Sequence, residues 1–360
     1  MAVDNFDNFE VSPDDGRGKL IIGNWKRSIP YTHKNFAQDN RDDPHIKRKL
    51  NILKAHPDIK YLEGHDSWSI PITIISVGIN LLFAYYWGRV WEFSLIPFLL
   101  TVYFVGGTMT HIIGVILHEA THNAVHSDPF INKVTLFISN LIIPVPIGAS
   151  FRRYHFEHHT YQGVEGKDPD LPLKWEINLI QGSTWKKFLF LSIYPFMYVI
   201  RGAAFGKRIS TLEIYNIIFT LISDIIIYKF MGLKALIYLG ASLWIGYSFH
   251  PAAAHFIQEH YTYASEQETY SYYGPLNWIF LNIGYHNEHH DFPKVPWSRL
   301  PLVKAMAPEF YEPLASHQSW YKVLWDFVTN PEIGPQSRCV RDHETYKTAR
   351  KMIIRKNKGL

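Results

Sequence analysis

Eight histidines fall in three short clusters: His118 and His122 in "HEATH" (118–122), His155, His158 and His159 in "HFEHH" (155–159), and His286, His289 and His290 in "HNEHH" (286–290). Spacings of three and four residues put the rings of each cluster on one face of a helix, aimed at one place. Neutral imidazole is a ligand for zinc, copper, iron and nickel, so ligand type alone does not choose the metal. Structural zinc takes four ligands and catalytic zinc three, so eight converging rings exceed one ion and suit two. His118, Glu119 and His122 also satisfy H-E-x-x-H, the zinc-protease pattern in which the glutamate is general base. That reading leaves six clustered histidines without a task. Glu157 and Glu288 adjoin histidines just as Glu119 does. One helical residue is a turn of about 100°, so all three carboxylates are expected to point away from a metal face.

Four apolar blocks must position these clusters: roughly 70–88, 94–117, 214–230 and 233–249. At ~1.5 Å per residue their lengths bracket a hydrocarbon core of about 30 Å, and the first two lack a polar face. The last two almost abut, which predicts a tight hairpin. Stretches 134–147 and 188–200 are apolar but short, and are read as interfacial or re-entrant. The segment before residue 70 carries eleven Lys and Arg and the loop 150–213 carries nine, against Arg89 alone in the connection 89–93. By the positive-inside bias the N-terminus, that loop and the C-terminal region are cytosolic. An even number of crossings then separates each histidine cluster from the next, so all three meet on the cytosolic side. A metal transporter would instead place ligands near the bilayer midplane.

The chain has 360 residues, 47% apolar, 16% aromatic and 19% charged, with a formal charge of +4. Its basic residues lie mostly outside the apolar blocks, which suits a membrane surface and not nucleic acid. One cysteine, Cys339, excludes an internal disulfide. The opening "MAVDNFDNFE" is acidic and is not a secretory signal. The expected division is a cytosolic arm over 1–65 with a helix near 43–62, a membrane domain over 66–290 and a cytosolic tail over 291–360. The expected class is all-α and integral to the membrane, with four spans in two hairpins under a cytosolic cap. His33, His45, His56, His65, His126, His317 and His343 are read as ordinary core or surface residues, and His111 as a partner for a neighbouring helix.

The set H-x3-H, H-x2-H-H and H-x2-H-H around two hairpins resembles the membrane fatty-acyl desaturase and hydroxylase superfamily. "RRYHFEHHTYQGVEGKDPDLP" (152–172), "HPAAAHFIQEHY" (250–261), "ETYSYYGPLNWIFLNIGYHNEHHDFP" (268–293) and "DDPHIKRKLNILKAHPDIK" (42–60) sharpen the likeness to the sphingolipid Δ4-desaturases, over roughly residues 40–335. The resemblance implies a di-iron centre at the endoplasmic reticulum, supplied with O2 and with electrons from NADH through a reductase and cytochrome b5. It implies that the eight histidines are iron ligands, with a ninth after the last span. His255 best matches the ninth, and His260 is the alternative. The implied substrate is dihydroceramide, desaturated between carbons 4 and 5 to ceramide, with 4-hydroxylation to phytoceramide as the nearest other outcome. Taking hydrogen from an unactivated methylene needs redox chemistry that side chains and zinc lack, which agrees with iron. Asp168 and Asp170 in "KDPDLP" either orient imidazoles or form an ordinary turn. Two departures stand out: the chain begins Met1-Ala2 where relatives often have a myristoylated Met-Gly, and its N-terminal extension is longer. Lys356 and Lys358 either form a likeness to a dilysine retrieval signal or belong to a merely basic tail.

Overall fold

A computed structural model describes residues 37–38, 44–263, 267–344 and 346–347. The N-terminal extension, the Met-Ala start and the dilysine pair lie outside the described residues. The main helices are α1 (Pro44–Ala55), α2 (Ser69–Val90), α3 (Leu95–Thr121), α4 (Pro129–Ser139), α5 (Gly148–Tyr161), α6 (Lys174–Ile180), α7 (Thr184–Ala204), α8 (Thr211–Met231), α9 (Leu233–Gly246), α10 (His255–Gln258), α11 (His286–Asp291), α12 (Leu300–Met306) and α13 (Trp320–Thr329). Among the described residues two short parallel pairs join distant segments: β1 (Ala37–Gln38) with β4 (Cys339–Val340), and β2 (Ser271–Tyr272) with β3 (Ser316–His317).

The long helices are inside out by the standards of a water-soluble protein. On α8 the buried positions are Asn216, Thr220, Ser223 and Ile227, while Ile218, Leu221, Ile222, Ile225 and Ile226 face outward. On α2 the buried face holds Ser69, Thr73, Ser76, Val77, Asn80 and Ala84, while Ile74, Ile75 and Leu82 are exposed. A soluble helix buries its apolar stripe. Small and hydroxyl-bearing residues between helices, with aliphatic ones outside, are what a hydrocarbon solvent selects. α3 and α9 approach closely for the same reason: a Cβ on Gly107 would sit 3.3 Å from the Cα of Gly246, and one on Gly106 would collide with the Ser242 side chain. This is a membrane protein.

Among the described residues three helices, α2, α3 and α8, are long and apolar enough to cross a membrane. The block at 233–249 instead folds as α9, whose 14 residues rise only about 21 Å. It ends at Gly246, where the chain leaves helical geometry and runs into the tight turn at Pro251–Ala254. The stretch at 188–200 is part of the 21-residue α7, which carries Pro195 and buries Lys187 and Arg201. α3 runs past its expected end at 117, so His118 lies within its last turn. Above the spans, Ile52 and Ile59 share a core with Phe292, Val295, Leu300, Val303 and Tyr311, joining the described part of the N-terminal arm to residues 292–311.

Candidate metal centre

α3 delivers His118 at its end and His122 just beyond it. Arg152 on α5 fixes that end by donating from Nη1 to the carbonyls of Ala120 and Thr121 at 3.0 and 2.5 Å. α5 delivers His155, His158 and His159, and α11 delivers His286, His289 and His290. The eight rings sort into two groups. In the first, five Nε2 atoms follow one another: His122 to His155 at 2.9 Å, His155 to His159 at 3.0 Å, His159 to His289 at 3.0 Å and His289 to His118 at 2.9 Å. The second holds His158, His290 and a residue outside the three clusters, His260. His260 Nε2 is 3.0 Å from His158 Nε2 and 2.8 Å from that of His286, which adjoins this group.

His255, expected to be the ninth ring, is elsewhere. Its Nδ1 bonds Glu259 at 2.6 Å, and its ring packs on Phe256 and edge-on to His111. On one continuous helix over 250–260, His255 and His260 would lie about 140° apart. The segment is in fact a tight turn over Pro251–Ala254, a single helical turn over His255–Gln258 and then a reversal, which swings His260 into the cluster.

Outer contacts hold the rings. Asp168 Oδ1 accepts from His158 Nδ1 at 2.9 Å while also closing the turn by accepting from the Asp170 amide at 2.9 Å, whereas the Asp170 carboxylate accepts from Tyr198 and Arg338. Of the three glutamates, Glu157 pairs with Lys207, and Glu288 accepts from the Ser271 and Tyr273 hydroxyls, both at 2.6 Å. Glu119 does not point clear of the rings: it accepts from His118 Nδ1 at 3.3 Å and from the Trp297 amide at 3.0 Å. α11 is clamped by α1, where His45 Nδ1 and Arg48 Nε reach Asp291 at 2.7 and 2.6 Å and the His45 ring lies 4.8 Å from that of His290. Sequence reasoning passed over His45 as an ordinary residue. Its only signal was its place in the segment whose likeness to the desaturases had been noted.

Burial first, and neighbouring imidazoles second, push His122, His155, His159, His260, His286, His289 and His290 well below the usual histidine range. Burial also works against charge on His158, but Asp168 more than offsets it and raises that residue. Seven rings are therefore neutral near pH 7, each with one lone pair. The five consecutive Nε2 atoms cannot all satisfy one another. A ring nitrogen either donates one proton or accepts into one lone pair, so five in a row satisfy at most two of the four contacts. A cation at the focus resolves this, because two ligands ~2.1 Å from an ion and ~90° apart stand about 3.0 Å from each other. The residues present fit a pair of metal ions.

The match to known proteins agrees with the fold and the donor set. The fatty acid desaturase family profile covers residues 93–321, and members of that family use iron. The sphingolipid Delta4-desaturase profile covers residues 32–68, where His45 and Arg48 lie. The sphingolipid delta(4)-desaturase DES1 of Drosophila melanogaster is 42% identical over 306 residues, spanning 83% of this chain and 93% of its own. The sphingolipid delta(4)-desaturase/C4-monooxygenase DES2 of Homo sapiens is 38% identical over 313 residues, or 85% and 94% of the two chains. The chain belongs to the sphingolipid Δ4-desaturase family and is an oxidoreductase.

Proposed function

We propose that this protein introduces a double bond between carbons 4 and 5 of the sphinganine chain of dihydroceramide, giving ceramide. The observation that carries the reading is the convergence of nine imidazoles in two groups. His118, His122, His155, His159 and His289 would hold one iron, and His158, His260 and His290, with His286 beside them, the other. Bound iron supplies the one-electron and O2 chemistry that an unactivated methylene demands. The balance is two hydrogens from the lipid and two electrons and two protons from outside, with O2 leaving as two waters. We assign the two outside electrons to NADH, by way of its reductase and cytochrome b5. The protein's own part is to fix the rings, keep them neutral and exclude water around the reacting carbons. We further propose four crossings in two hairpins, with α9 and the turn after it completing the last, and both termini cytosolic at the endoplasmic reticulum membrane.

The test is expression in cells fed isotope-labelled dihydroceramide, followed by mass analysis of the lipids. Labelled ceramide supports the assignment, and labelled phytoceramide alone would convert it to the C4-monooxygenase activity that some relatives carry in their names. Unchanged label refutes both. Glu119→Gln separates this reading from a zinc protease: loss of the general base would abolish proteolysis. Here the amide oxygen still accepts from His118, so lipid oxidation is expected to fall by about tenfold, the low end for such a partner, and not to vanish.

A further inference from the structure

Residues 333–341 are buried without interruption, although they lie beyond α13 outside any long helix and include two arginines. A buried guanidinium is costly unless fully paired. Arg338, 2% exposed, donates to the Asp170 carboxylate at 2.9 Å and to its carbonyl at 3.1 Å. The Asp170 amide reaches the same Asp168 oxygen that holds His158. A second route runs to His260: Arg338 lies 5.6 Å over the ring of Tyr261, and the Ser337 carbonyl accepts from the Thr262 amide at 2.8 Å. Arg341 secures both loops at once. Its backbone amide donates to the Gly163 carbonyl at 2.7 Å, and its guanidinium grips Glu268 at 2.6 and 2.7 Å. Gly163 has φ +70° and no room for a Cβ, which would lie 2.8 Å from Arg341 Nη1 and 2.9 Å from the Cys339 carbonyl. Both routes end on members of the smaller histidine group. The larger group is held from Arg152 and Glu119 instead.

We propose that residues 336–341 form a strap that positions the smaller histidine group, with Arg338 and Asp170 as its positioning residues. The strap acts by fixing the Nδ1 side of His158 and the backbone around His260, so that their Nε2 atoms stay close enough to share an ion. The inference rests on the two-iron reading above. Its consequence is selective: loosening the strap lowers occupancy of one site and spares the other.

The experiment loads purified full-length protein anaerobically with ferrous iron and measures iron per chain alongside the melting temperature. Removing one partner alone would strand a buried charge, so the main variant is Asp170→Asn with Arg338→Met, which removes both. Parent protein is expected to hold two irons, and the double variant to melt within a few degrees of it while holding one. Arg338→Lys keeps the charge but not the fork, and should recover part of the second iron. If the double variant does not fold, Arg338→Lys carries the test, with a weakened second site expected. Two irons held at parent affinity would overturn the strap, as would parallel loss from both sites, the mark of a merely structural role. A parent holding fewer than two irons would overturn the two-iron reading itself, a result that failure of the strap cannot mimic.

Discussion

Replacement of His289 by alanine is expected to abolish lipid oxidation and to strip iron from the larger histidine group. Its Nε2 stands between those of His118 and His159, at 2.9 and 3.0 Å, so it joins the ring from α3 to the ring from α5. Alanine removes the donor and leaves a gap that neither neighbour can close, since His118 is fixed on α3 and His159 on α5. Substituting partners outside a metal's own ligands costs about 10–100-fold, so loss of a central donor should exceed ~100-fold. Iron content and labelled product measured on the same preparation check this. Turnover near that of the parent would remove His289 from the ligand set.

The second large effect separates two histidines that the sequence left in competition. His260→Ala deletes one of three donors in the smaller group and detaches His286, which meets that group through the 2.8 Å contact. A loss greater than ~100-fold is expected. His255→Ala removes a bond to Glu259, whose Oε1 also stands 3.5 Å from His286 Nδ1, and ring packing against Phe256 and His111, but it removes no member of either group. Activity within about tenfold of the parent, with two irons retained, is the expected result. The reverse order of effects would return the ninth place to His255.

The contrast between these residues shows what can be read from sequence and what cannot. The three clusters were legible because spacings of three and four survive in α3, α5 and α11, and local periodicity needs no tertiary knowledge. The spans were legible as far as composition marks them. α9 was not, because Tyr247 and Phe249 continue its apolar character past the point where the backbone turns. His260 stood second to His255 for a related reason: nothing local in the sequence shows that this segment changes geometry twice within eleven residues. His45 and Arg48 were beyond reach in another way. They stand about 240 positions from the residues they hold, and their roles come from α1 packing against α11, which no local pattern encodes.

The order in which the chain is made adds a consequence. α2, α3 and α5 leave the ribosome early, whereas α11 and the strap emerge near the end of synthesis, and domains assemble from the N-terminal side as they appear. The membrane helices therefore enter the bilayer while the histidines of α3 and α5 still lack their partners from His260 and α11. On the two-iron reading proposed above, iron would be captured tightly only after translation has all but finished. A nascent chain stalled before α11 would be fully inserted yet inert, which makes metal delivery a late and separable stage of this enzyme's maturation.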